Sequence, residues 1–188
     1  MRVRTLVAGT VALATLGAGG RAASPAAAQV PENRLLAFDD GQVARVGSLR
    51  AGGDLRLRNA VRAYGRPSEK RPRGGTQSCT LRWKRPGISV LGTTFDSPPR
   101  RRCDTRRLHI QRIVVNGAGW TTDAGLAVGE PLARLRELYL DAERSGERGY
   151  ALETFDFGFG TEPTETLVAT VSRDVVVRFV VWVGAAGD

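Results

Sequence analysis

Sixteen residues, Gly125 to Leu140 (GLAVGEPLARLRELYL), constrain the fold more than any other stretch. They read as a strand, a tight glycine turn and a short helix whose apolar side faces a sheet. Pro131 suits the first helical position, and Glu130 suits the positive N-terminal turn. Leu132, Leu135, Leu138 and Tyr139 then recur at the spacing of one buried stripe. A looser copy of this phrase lies 75 residues earlier, where Leu57 matches Leu132 and Tyr64 matches Tyr139.

The earlier helix is clearly punctuated. Asp54 is a good N-cap, and Leu57, Ala60, Val61 and Tyr64 form the stripe. Gly65 supplies a left-handed C-terminal residue, and Pro67 prevents continuation. Around the two helices the pattern changes to alternation. Val43 to Leu49 reads as a short strand after an Asp39-Asp40-Gly41 turn, and Ser68 to Gln77 as a polar loop. Cys79 to Lys84 and Ile88 to Phe95 read as a hairpin, with Cys79, Leu81 and Trp83 on one face and Thr80, Arg82 and Lys84 on the other. Leu108 to Val115 is the next strand, and Asp141 to Gly149 reads as a charged loop.

Three strands close the sequence: Tyr150 to Phe157, Leu167 to Ser172 and Val175 to Val183, the last two joined across Arg173 and Asp174. Alternation in the final strand places Val175, Val177, Phe179, Val181 and Val183 together, opposite Val176, Arg178, Val180 and Trp182. The expected architecture is therefore α+β. Two tandem units, 29–115 and 116–188, each pack a short helix on an antiparallel sheet.

Residues 1–28 read as a secretory signal peptide. Arg2 and Arg4 are the basic start, Leu6 to Leu16 the apolar stretch, and Ala26, Ala27 and Ala28 the cleavage site. The mature chain is thus expected to be secreted or extracytoplasmic, with no membrane span. In such a chain, two cysteines most simply pair, so Cys79 and Cys103 are expected to form a structural disulfide in the first unit.

Charge is distributed unevenly. Of 28 basic residues only Lys70 and Lys84 are lysines, a bias in keeping with high-G+C coding. Arg45 to Arg112 holds 18 basic and 4 acidic residues, whereas Ile113 to Asp188 holds 6 basic and 12 acidic. Two arrangements fit. Either a basic face attracts polyanions, or oppositely charged halves partly neutralise each other where they pack.

The helix phrase also resembles that of known proteins. It is carried by Val128, Gly129, Glu130, Leu132, Leu135 and Tyr139, and more loosely by Gly53, Asp54, Leu57, Val61, Gly65 and Pro67. In this it is similar to the secreted β-lactamase inhibitor proteins of actinobacteria and to the BamE (SmpA/OmlA) outer-membrane assembly lipoproteins. The resemblance implies two tandem units, each with helices on a four-stranded antiparallel sheet, and an extracytoplasmic location. The chain departs from those groups in three ways. It is only 6% aromatic, its second half has no cysteine, and it lacks a cysteine for lipidation.

No catalytic constellation emerges. His109, the sole histidine, lies between Leu108 and Ile110 in a strand and reads as structural. One histidine and a paired cystine fall short of a zinc ligand set. Glu153 and Asp156 form only a weak carboxylate pair of the glycosidase kind, and Asp156-Phe157-Gly158 lacks the partner motifs of a kinase. The sequence therefore points to a non-catalytic protein without cofactor or metal, which binds an unidentified protein partner. Its candidate binding residues are Arg82, Lys84, Arg178 and Trp182, cations beside an indole. One alternative is binding of an anionic polymer, envelope polymer or nucleic acid, by the arginine-rich half, including Arg100, Arg101 and Arg102. Another is a small hydrolase of unrecognised type, which a pocket around His109 would mark.

Overall fold

The computed structural model describes residues 34–39, 42–50, 55–73, 77–94, 101–155 and 164–183. The expected signal segment, the Asp40-Gly41 turn, the Asp54 cap, Arg100 and Asp156 lie outside them. Strands β1 (Leu35–Asp39), β2 (Gln42–Val46) and β3 (Leu49–Arg50) come first, followed by helix α1 (Leu57–Tyr64). Next are β4 (Glu69–Arg73), β5 (Ser78–Trp83), β6 (Ile88–Thr93), β7 (His109–Val115) and β8 (Thr121–Thr122). Helix α2 (Leu132–Leu138), β9 (Glu143–Ser145), β10 (Gly149–Phe155), β11 (Thr164–Ser172) and β12 (Val175–Trp182) follow.

These strands make two sheets. A small mixed sheet has the order β3-β2-β1-β8, with β1 and β8 parallel. A large antiparallel sheet runs β4-β5-β6-β7-β12-β11-β10-β9. The expected α+β architecture of tandem helix-on-sheet units is therefore overturned: the protein is mostly β. Strands from both halves of the sequence meet where β7 pairs with β12, with Ile113 opposite Val181 and Val115 opposite Phe179. Both strands are rich in β-branched residues on each face, the composition that suits the middle of a wide sheet. The two helical stripes are present, but they span only eight and seven residues and cover parts of a larger sheet.

Local expectations hold where period and punctuation agree. The β5–β6 hairpin forms, with Cys79, Leu81 and Trp83 buried on one face. α1 ends at Gly65, whose φ of 76° is left-handed, although its N-cap is Arg56 rather than Asp54. The Arg173–Asp174 connection is tight, with φ of 51° and 58°, both in the left-handed region that two-residue hairpin turns require.

Five local readings are corrected. Ser68 to Gln77 contains β4, which pairs with β5 at the sheet margin. Pro72 and the charged residues of β4 mimic a loop, yet an edge strand tolerates both. Asp141 to Gly149 contains β9, paired with β10. The strand expected before α2 shrinks to a single bridge, Thr121 with Ala127, and Pro131 caps the helix in extended conformation instead of opening it. In β12 the register moves from Thr170–Arg178 to Val171–Val176, so Val177 is an extra, bulged residue. Val176 therefore turns inward with Phe179, Val181 and Val183, while Val175 and Val177 are exposed.

One buried cluster joins the inner face of the large sheet to both helices and to the small sheet. Leu36, Val46 and Leu49 enter it from the small sheet, Leu57 and Ala60 from α1, and Leu135 from α2. α1 packs closely: a Cβ on Gly92 would lie 2.5 Å from Leu57 Cγ, so only glycine fits beneath that leucine. Three aromatic side chains of this region hand their polar hydrogens to backbone carbonyls. The Tyr64 hydroxyl donates to the Val46 carbonyl at 2.5 Å, and Trp83 Nε1 donates to Gly65 at 3.0 Å. Trp120 is fully buried and donates to the Pro86 carbonyl at 2.9 Å. Gly117 permits that approach, because a Cβ there would sit 2.0 Å from the same carbonyl oxygen.

The Cys79–Cys103 disulfide is formed, with an S–S distance of 2.08 Å. It ties the chain after β6 to the inner face of β5. Among the described residues, no helix is long and apolar enough to cross a membrane.

Candidate binding face

Because the inner side of the large sheet is filled by the core, the residues between the buried ones project from the opposite, outer side. Pairing aligns them in rows across the strands. Arg82 of β5 faces Ser89 of β6, Ser89 faces Val114 of β7, and Val114 faces Val180 of β12. Beside it runs a second row, Thr80, Leu91, Arg112 and Trp182. Three strand spacings separate Arg82 from Val180, about 14 Å. Ser89, Leu91, Val114 and Val180 are half-buried, whereas Arg82, Arg178 and Trp182 are exposed.

The four residues singled out by sequence thus divide three to one. Arg82, Arg178 and Trp182 share the outer face, with Arg178 and Trp182 flanking Val180 on one strand. Lys84 lies beyond the end of β5, in the turn to β6, where its backbone N–H donates to Ser68 Oγ at 3.1 Å. Arg178 is steadied by a 3.2 Å hydrogen bond from Nε to Thr170 Oγ1 on the neighbouring strand.

Arg112 is the residue that sequence reasoning missed. Its guanidinium carbon lies 5.2 Å from the centre of the Trp182 ring, a cation–π contact, and its Nε is buried with no hydrogen-bond partner. No local signal reveals this pair, since 70 residues separate its members. A bulge at Gln111, where the β6–β7 register shifts after Leu91, helps set the strand so that Arg112 and Val114 share the outer face. Trp182 is 39% exposed and shares the outer face with the half-buried Val180 and, two strands away beyond Arg112, Leu91.

Titratable groups elsewhere are placed differently. His109 opens β7, faces Thr93 of β6, and bridges to Arg56. Glu153, on β10, has its carboxyl held above the ordinary range by partial burial and then by the nearby Asp123 carboxylate. Burial pushes the Tyr139 hydroxyl up to about 12, with Asp123 and Glu153 acting in the same direction. Asp123 itself accepts backbone hydrogen bonds from Phe38 at 3.0 Å and Ala124 at 2.9 Å, so it holds the small sheet to the β8 turn. Among the described residues, no three His, Cys, Asp or Glu side chains converge as a metal ligand set.

Compared with known proteins, the chain matches no family model, no curated protein and no solved structure.

Proposed function

We propose that this protein acts outside the cytoplasm by binding another protein through the outer face of its large sheet, without catalysis. The carrying observation is Trp182: a large aromatic ring, partly exposed on a central strand, stacked by Arg112 and flanked by Arg178. Exposed tryptophan beside arginine is the composition that concentrates binding energy in protein interfaces. The cations Arg82, Arg112 and Arg178 favour a partner that surrounds an apolar centre with carboxylates. The disulfide supports an oxidising compartment. The Val128-to-Tyr139 phrase resembles that of the inhibitor and BamE-type proteins, although the tandem units which that resemblance implied are not present.

A photo-crosslinking residue placed at position 89, on the same outer face as Trp182, tests this reading in the cells that make the protein. The control position is 140, since Leu140 is 85% exposed just past α2. Position 89 is expected to yield one stoichiometric protein adduct, which Trp182→Ala and Arg178→Glu each remove without lowering the melting temperature by more than a few degrees. The same adducts from both positions, none from 89, or an adduct indifferent to both variants overturns the proposal.

A further inference from the structure

A second feature, independent of the outer face, lies where the disulfide meets the edge of the large sheet. Lys70 of β4 and residues 101–107 enclose an open basin of about 580 Å³. Five cationic side chains line it, those of Lys70, Arg101, Arg102, Arg106 and Arg107, against the single carboxylate of Asp104. Lys70 and all four arginines are exposed. A few arginine side chains elsewhere find protein acceptors, Arg71 pairing with Glu69, Arg134 with Glu137, and Arg34 donating to Ala118, whereas Arg112 Nε does not. The five cations of the basin make no such contact among the described residues.

The backbone that carries them is nonetheless fixed. Cys103, with a left-handed φ of 55°, is bonded to Cys79 of β5. The Thr105 carbonyl accepts from Arg58 N at 2.8 Å, and the Arg106 carbonyl accepts from Arg56 Nη1 at 2.9 Å. Asp104 Oδ1 accepts from Arg106 N at 3.1 Å, and the Asp104 carbonyl accepts from Arg107 and Leu108. α1 and the disulfide thus hold like charges together that repel one another. Their field is concentrated in a concave site and is relieved by an anion.

We propose that this basin binds a linear phosphate-bearing polyanion by its charges alone. Guanidinium forks match phosphate oxygens two at a time, and several forks on one fixed loop suit a chain of phosphates better than a single ion. Among the described residues no aromatic ring lines the basin, so its described walls offer no stacking surface of the kind by which single-stranded nucleic acids are held. The ligand class is therefore a phosphate polymer without bases.

Inorganic polyphosphate is the probe, titrated into the full oxidised protein by fluorescence anisotropy or calorimetry. Orthophosphate and a single-stranded DNA homopolymer of equal charge serve as comparisons. With about four charges neutralised at a slope of about −0.7 each, tripling the salt weakens binding roughly twentyfold. Arg102→Gln and Arg106→Gln each lower the salt slope by about 0.7, and together they weaken binding at least about tenfold. Arg136→Gln, an exposed cation of α2, leaves both unchanged. Orthophosphate binds far more weakly than the polymer. No binding at low salt, binding insensitive to salt or to the double variant, or tighter binding of the DNA each overturns the proposal.

Discussion

Trp83 and Trp120 lie in the core that fills the inner side of the large sheet, each with its indole N–H bonded to a backbone carbonyl. Trp182 lies on the other side of that sheet, partly exposed and stacked by a guanidinium. The difference separates structural from available side chains. An indole whose ring and N–H are both satisfied is committed to the fold. A ring left in water beside cations is free to be covered by a partner.

The contrast is broken most sharply by comparing large-to-small substitutions on the two faces. Phe179 is fully buried on β12, three residues before Trp182. Phe179→Ala is expected to cost about 3–5 kcal/mol in denaturant unfolding, through lost burial and the cavity left behind. Trp182→Ala is expected to cost no more than about 1 kcal/mol, mainly the stacked cation. Equal losses from the two variants erase the distinction.

The disulfide sharpens the comparison by acting on only one end of the sheet. It closes a separation of 24 residues between β5 and the basin loop. On the chain-entropy account its removal costs about 3 kcal/mol. The Cys79→Ser, Cys103→Ser variant is expected to lose that amount, with faster amide exchange in β4 and β5 than in β10 to β12. Uniform acceleration across all strands contradicts the regional account.

The smallest effect comes from Glu153. Its folded carboxyl titrates above the ordinary 4.5 because partial burial favours the neutral form and Asp123 adds repulsion. The folded state therefore holds the proton more tightly than the unfolded chain does. The associated stability is fully present below the unfolded value and is lost as pH rises through the folded value. Glu153→Gln is expected to flatten that decline in a melting-temperature profile taken upward from below pH 4.5. A variant profile parallel to the parent's shows that Glu153 does not titrate differently on folding.

What the sequence revealed follows the range of each interaction. Alternation in Cys79 to Trp83 showed which side would be buried, Gly65 and Pro67 marked where α1 stops, and the sequence's two cysteines had only each other to pair with. All are local, or nearly forced. β4 was hidden because Pro72 and its charged neighbours, which suit a margin, are also the marks of a loop. The faces of β12 were misassigned because one bulged residue, Val177, resets alternation without changing composition. The union of β7 with β12 depends on partners 64 to 70 residues apart along the chain. Two similar helices therefore suggested two separate units where the backbone builds one sheet. The Arg112–Trp182 contact was invisible for the same reason.

The margins of the large sheet carry a further consequence. A ladder of unused backbone donors and acceptors invites another copy of the chain to zip on and continue the sheet. Here the β4 margin carries Pro72, which has no N–H to offer, among Lys70, Arg71 and Arg73. At the opposite margin β9 is only three residues long. Neither border of the large sheet gives a second molecule a long neutral rail to grow along.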